Sequence, residues 1–180
     1  MLKAIDVANY FVNSSRVLGA RISNMKLNKL LYFAQGYSLS CLEKPLFEED
    51  LQAWQHGPVA PSVYNAFKSY GPSPIEHVSG KYDASVFSDE QVDLLTAVMR
   101  KYFRYSAWAL RELTHQKGTP WRQVYDENAR NVVIEKKLMK EFFDTQDLSR
   151  ESRPSIDVEY IGYHDKNGVL ILPMDDADEG

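Results

Sequence analysis

Four histidines, one cysteine, a short acidic run and two lysines inside an apolar stretch are the residues of this chain with the chemistry to act on something. His56, His77, His115 and His164 are far apart in sequence, and none belongs to an HExxH or Cys/His cluster, so the sequence offers no metal centre and no cofactor site. A single cysteine, Cys41, closes no internal disulfide. Its apolar surroundings predict a small buried side chain, not a nucleophile. No serine sits in a GxSxG elbow, and no glycine-rich phosphate loop is present. Glu48-Glu49-Asp50 follows Pro45 closely and reads as a solvated loop. A hydrolase would need a site assembled from distant residues, with His56, His115 and nearby acids as its candidates. Lys26 and Lys29 are costly to bury, so both are expected to reach solvent, either against an acidic partner surface or as plain solvated charges.

The elements that must position these residues are mostly helical. Ala4, Val7, Ala8, Phe11 and Val12 share one face of a first helix that ends near Gly19. Ser23 caps a second, in which Leu27, Leu30, Leu31, Ala34 and Ser38 form one stripe while Phe33 and Tyr37 add another apolar side. A helix apolar on more than one side predicts the centre of the fold. Leu51-Gln52-Ala53-Trp54 reads as short and extended, and Gly57-Pro58 as a turn holding Trp54 and His56. Pro61 opens a third helix with Val63, Ala66, Phe67 and Tyr70 inward, closed by Gly71.

A loop over 71–87 precedes a fourth helix, which begins at the Ser88/Gln91 capping box and buries Val92, Leu95, Met99 and Tyr102. Ser106 caps a fifth, with Ala109, Leu110 and Leu113 inward and His115 positioned to bind its last carbonyls. Pro120-Trp121 starts a helical turn. Asn131 is the expected cap of a last helix carrying Ile134, Leu138, Met139, Phe142 and Phe143. Beyond residue 150 the β-branched and aromatic runs 158–163 and 169–172 flank Asp165-Lys166-Asn167-Gly168, a hairpin signal, and an acidic stretch Asp175-Asp176-Ala177-Asp178-Glu179 follows. The expected organisation is a mainly α, compact multi-helix domain over 1–150 around a central apolar helix, with a small C-terminal β-hairpin and acidic tail over 151–180. A lone hairpin is marginal in water, so it should pack on the helical body or on a partner.

Composition agrees with a globular protein: 44% hydrophobic, 26% charged, net charge −4. The acidic balance argues against nucleic acid as a partner. No apolar stretch is long enough for a membrane span, and the first residues lack a signal peptide's apolar core, so a cytoplasmic location is expected.

Four motifs in order carry a resemblance. They are Asp6-Val7-Ala8-Asn9-Tyr10-Phe11; Met25-Lys26-Leu27-Asn28-Lys29-Leu30-Leu31-Tyr32-Phe33-Ala34-Gln35-Gly36; Ala53-Trp54-Gln55-His56-Gly57-Pro58-Val59 with Val63-Tyr64 and Phe67 to Gly71; and Leu113-Thr114-His115 with Pro120-Trp121. Together they resemble the Panacea domain of SocA-like antitoxins and phage-associated proteins over about residues 4 to 145. The resemblance implies a helical antitoxin, not an enzyme, often carried by prophages and encoded beside a protein toxin that it neutralises by direct binding. It also implies an alternative, an adaptor that hands the toxin to a ClpXP-type protease. The signature residues Leu27, Leu30, Leu31, Tyr32, Phe33, Gly57, Pro58, Thr114 and His115 are expected to build the structure. Lys26, Lys29, Trp54, His56, Tyr64, Tyr70 and Trp121 are the candidate partner contacts, the aromatic ones because Trp and Tyr dominate binding hot spots.

Overall fold

The computed structural model describes residues 1–149 and the backbone of 163–164 and 170–171. Its centre is α2 (Asn24–Cys41), buried without interruption from Lys26 to Leu39. Ser23 caps it, its hydroxyl accepting from the Lys26 amide at 3.3 Å. Around it pack α1 (Ala4–Val17), α3 (Pro61–Phe67), α4 (Asp89–Tyr102), α5 (Ala107–His115) and α7 (Lys136–Phe143). A helix with neighbours on every side has no polar face to spare, which is why its apolar residues do not follow a single stripe. Leu27, Leu30, Leu31, Tyr32 and Phe33 are all core.

A three-stranded antiparallel sheet lies beside this bundle, in the order β2 (Gly57–Val59), β1 (Leu51–Trp54), β3 (Val133–Ile134). Trp54 pairs with Gly57, so the turn itself is Gln55-His56, and Gly57 closes it with φ +111°. Pro58 follows in β2, an edge strand, where a residue without an N–H costs no ladder bond. Short α6 (Pro120–Val124) starts at Thr119, whose hydroxyl accepts from the Arg122 amide.

Several local expectations need correction. Asn131 does not cap the last helix. It takes a left-handed conformation (φ +57°), and Ile134 enters β3, because pairing with Leu51 buries it better than another helical turn would. That helix starts at Lys136 behind Glu135. Ala66 is exposed, and Leu94 and Val98, not Val92, carry the buried face of α4 together with Leu95, Met99 and Tyr102. Cys41 is exposed, since it ends α2 where the helix leaves the core. Glu49 is more than a solvated loop acid: its carboxylate accepts from the Ala4 amide at 2.8 Å, satisfying a free donor in the first turn of α1.

In the C-terminal region, β4 (Tyr163–His164) pairs antiparallel with β5 (Leu170–Ile171), which is the expected hairpin. Its packing and the acidic stretch lie outside the described residues.

Candidate functional site

The two lysines of the central helix do not reach solvent, contrary to the expectation from their charge. Lys29 is 1% exposed, and its ammonium donates to the Pro58 carbonyl at 3.2 Å. Lys26 is 9% exposed, donates to the Phe103 carbonyl at 2.6 Å and lies over the Phe103 ring, 4.6 Å from its centre. Phe103 is the C-terminal cap of α4, so the Lys26 charge meets the negative end of that helix. Burial lowers the Lys26 pKa to about 8. Each lysine binds a backbone carbonyl, and that structural task replaces the surface role.

Lys29 is one of four buried or half-buried side chains that grip the β1–β2 hairpin by its backbone. From α2, Asn28 Oδ1 accepts from the Ala60 amide at 2.9 Å. From α6, Trp121 Nε1 donates to the Trp54 carbonyl at 2.8 Å. From the end of α5, His115 Nε2 faces the Gln55 carbonyl at 3.1 Å. Because burial, above all, pushes the His115 pKa down, the ring is neutral near pH 7. A neutral ring has one N–H. That proton faces a carbonyl on either side of the ring, Gln55 at Nε2 and Arg111 at Nδ1, the latter 2.8 Å away, while the Thr114 hydroxyl donates to the same Arg111 carbonyl at 2.7 Å. The His115 ring also packs on Trp121 with centres 3.6 Å apart, and Trp121 stacks on Tyr125.

Gly57 is required where the lysine and the hairpin meet. A Cβ there would lie 2.7 Å from Lys29 Cε and 2.9 Å from Thr114 Oγ1, and its φ disfavours any other residue. The segments around Lys29, Gly57-Pro58, Thr114-His115 and Trp121 are thus parts of one clamp, assembled from residues nearly a hundred positions apart.

The clamp leaves the turn facing outward. Gln55 is exposed; Trp54, His56 and Tyr64 are half-buried. The Trp54 and Tyr64 rings meet edge to face, 4.9 Å apart. His56 lies near Trp108 of α5, ring centres 6.5 Å apart, and the Arg111 guanidinium lies 4.6 Å from the centre of the Trp108 ring. Arg111 also bridges Glu112 at 2.5 Å. Burial, then the positive charges of Arg111 and Lys29 and the proximity of His115, lower the His56 pKa to about 4, so it is neutral at physiological pH. Trp108 and Arg111 were not among the sequence candidates. Their signal was the 108, 111, 115 spacing, one face of a helix.

Of the sequence candidates, Trp54, His56 and Tyr64 join this surface. Lys29 and Trp121 lie beneath it as supports, with Trp121 only 2% exposed. Lys26 belongs to the end of α4. Tyr70, in the 3-10 turn Lys68–Tyr70, has its ring 6.5 Å from that of Phe67 and joins none of these contacts. His56 and His115 are brought together, as a spatially assembled site would need, but both His115 ring nitrogens face backbone carbonyls, Nε2 that of Gln55 in the turn and Nδ1 that of Arg111 in its own helix. Although Cys41 is exposed, partial desolvation raises the pKa of its thiol above the ordinary value, which disfavours a thiolate. Among the described residues no three His, Cys, Asp or Glu side chains form a group able to hold a metal, and no helix is long and apolar enough to cross a membrane.

Fold and site together define a mainly helical domain whose buried polar groups fix a presented hairpin turn. The family model described as Antitoxin SocA-like, Panacea domain, matches residues 27–122, a stretch that contains the whole clamp. The chain belongs to this family. It is 31% identical over 163 residues to Antitoxin SocA of Caulobacter vibrioides (strain NA1000 / CB15N), across 83% of this chain and 87% of that protein. No solved structure matches it.

Proposed function

We propose that this chain is the antitoxin of a toxin–antitoxin pair, acting in the cytoplasm, and that it neutralises a protein toxin encoded by the adjacent gene through direct binding. The interface in this reading is the hairpin turn and its aromatic surround: Gln55, His56, Trp54, Tyr64, Trp108 and Arg111. Family membership supports the antitoxin role. The observation that carries the location is the clamp. Backbone groups of Trp54, Gln55, Pro58 and Ala60 are all bonded by side chains from other elements. A turn held in this way loses little conformational entropy on binding, and aromatic and arginine side chains make the strongest anchors. Neutralisation then needs occlusion of the toxin and no chemistry from the antitoxin. An inhibitory interface of ordinary stability buries about 1,200–2,000 Å², so the turn would form its centre and not its whole extent.

The test is co-expression with the neighbouring toxin gene, scored by growth and by co-purification. Wild type restores growth and yields a complex. Gln55→Arg at the exposed tip and Trp108→Ala beside it weaken binding at least tenfold while the melting temperature stays within a few degrees. Undiminished binding by both variants refutes the hairpin surface. No complex and no rescue with wild type refutes the antitoxin reading itself. Toxin clearance that requires added ClpXP and this chain would replace occlusion by delivery to the protease.

A further inference from the structure

A second surface is unrelated to the hairpin. α1 and α4 leave between them a groove of about 600 Å³. Its apolar side is built from Val17, Leu18, Met99 and Phe103, and its lining also includes Arg100 and Arg104. Val17 is 79% exposed and Leu18 64%, which with Met1 are the largest exposures of large apolar side chains in the described region. Neither Arg100 nor Arg104 has an ion-pair partner among the described residues. Apolar surface beside two uncompensated arginines fits a peptide that is apolar and then acidic.

The chain carries such a peptide. Leu172-Pro173-Met174 is followed by Asp175-Asp176-Ala177-Asp178-Glu179. The main chain also leaves the described body beside α4, the helix that forms one wall of the groove. Lys101, next to Arg100, donates to the Asp147 carbonyl, and Leu148 packs on the core. Residues 150–162 span up to about 40 Å when extended, whereas the whole of α4 is about 21 Å long. Because the β4–β5 hairpin turns the chain back on itself, those residues alone set the reach.

We propose that the groove between α1 and α4 is occupied by this chain's own segment 172–179, with Leu172 and Met174 on the apolar side and Asp175 and Asp176 against Arg100 and Arg104. The inference does not depend on the antitoxin reading. It gives the Val17–Leu18 surface a cover, and it explains why the acidic run directly follows apolar residues.

The experiment uses the full chain with its cysteine removed, Cys41→Ser, and a nitroxide spin label on Ala177→Cys. Amide signals of Val17, Leu18 and 96–104 should lose most of their intensity, while those around His56 should not. Arg100→Glu with Arg104→Glu should abolish the effect. Adding Asp175→Arg and Asp176→Arg to that pair should restore it. These substitutions lie on exposed positions or outside the described body, and circular dichroism checks the fold of each variant. Four results overturn the proposal: no broadening in the groove, broadening that survives the arginine reversal, broadening seen only between labelled and unlabelled molecules (a second copy as the occupant), or a groove that stays unaffected by the label yet shifts when the co-expressed toxin is added.

Discussion

At the scale of single residues, Lys26 shows how a charge is retained in a core. Its folded pKa of about 8 lies below the usual 10.5. The folded state therefore bears a desolvation cost on the order of 3 kcal/mol wherever the side chain is charged in both states, which is below pH 8. Between pH 8 and 10.5 the unfolded chain holds the proton more tightly than the folded one, so this contribution to stability rises with pH. Lys26→Met has nothing to titrate. Urea unfolding should show wild type gaining about 2 kcal/mol on the variant between pH 7 and pH 9.5. A constant difference would mean that Lys26 titrates normally. Gly57 is constrained by space as well as by φ. Gly57→Ala should cost about 2–4 kcal/mol in the same measurement, because Lys29 and Thr114 cannot both move aside without releasing the hairpin.

At the scale of elements, α2 and α7 pack closely at Gly36. The Phe143 ring lies against Gly36, where an added Cβ would fall 2.2 Å from Cε2. The same ring meets Tyr32 and Tyr37 edge to face, 5.4 and 4.8 Å away between centres. Gly36→Ala should therefore destabilise the protein by about 3 kcal/mol by pushing the helices apart. Phe143→Leu in that background should be markedly less than additive, since the smaller side chain makes room for the methyl group. Strict additivity in the double-mutant cycle would place the strain elsewhere. Helix α7 matters beyond its own packing. Lys136 ties it to Asp50 at 2.5 Å and to the Glu48 carbonyl, in the segment that leads into β1 and the hairpin.

For the molecule as a whole, the clamp links acid stability to the candidate interface. The folded pKa of His56, about 4, lies below its ordinary 6.5, and that of His115 is also lowered. As pH falls through 6.5 the unfolded chain takes up protons that the folded state refuses, so stability declines toward pH 4. For half-buried His56 the loss is on the order of 1 kcal/mol once solvent screening is allowed for. His56→Gln should flatten that part of the stability profile between pH 7 and pH 4.5. An unchanged slope would show that neither burial nor the neighbouring cations lower the His56 pKa.

Helix positions were legible in the sequence because local signals fixed them: the Ser23, Ser88 and Ser106 caps, the prolines at the start of α3 and α6, and the all-round apolar character of α2. The family resemblance was legible too, since it rests on residue order. Where local and long-range preferences competed, the tertiary structure decided. Asn131 could cap a helix, but Ile134 gained more by pairing with Leu51. Lysines look like surface residues from composition alone. Only packing could show that backbone carbonyls of Pro58 and Phe103 need donors deep in the fold, and that the lysine stems of α2 reach them. The grouping of Lys29, Gly57, Thr114, His115 and Trp121 around one turn is likewise invisible to spacing, because loops of many residues separate them. The sequence by itself therefore determined the family, the helices and the central element. Tertiary structure decided which signature residues support the hairpin and which few it presents, since burial is a property of neighbours and not of residue type.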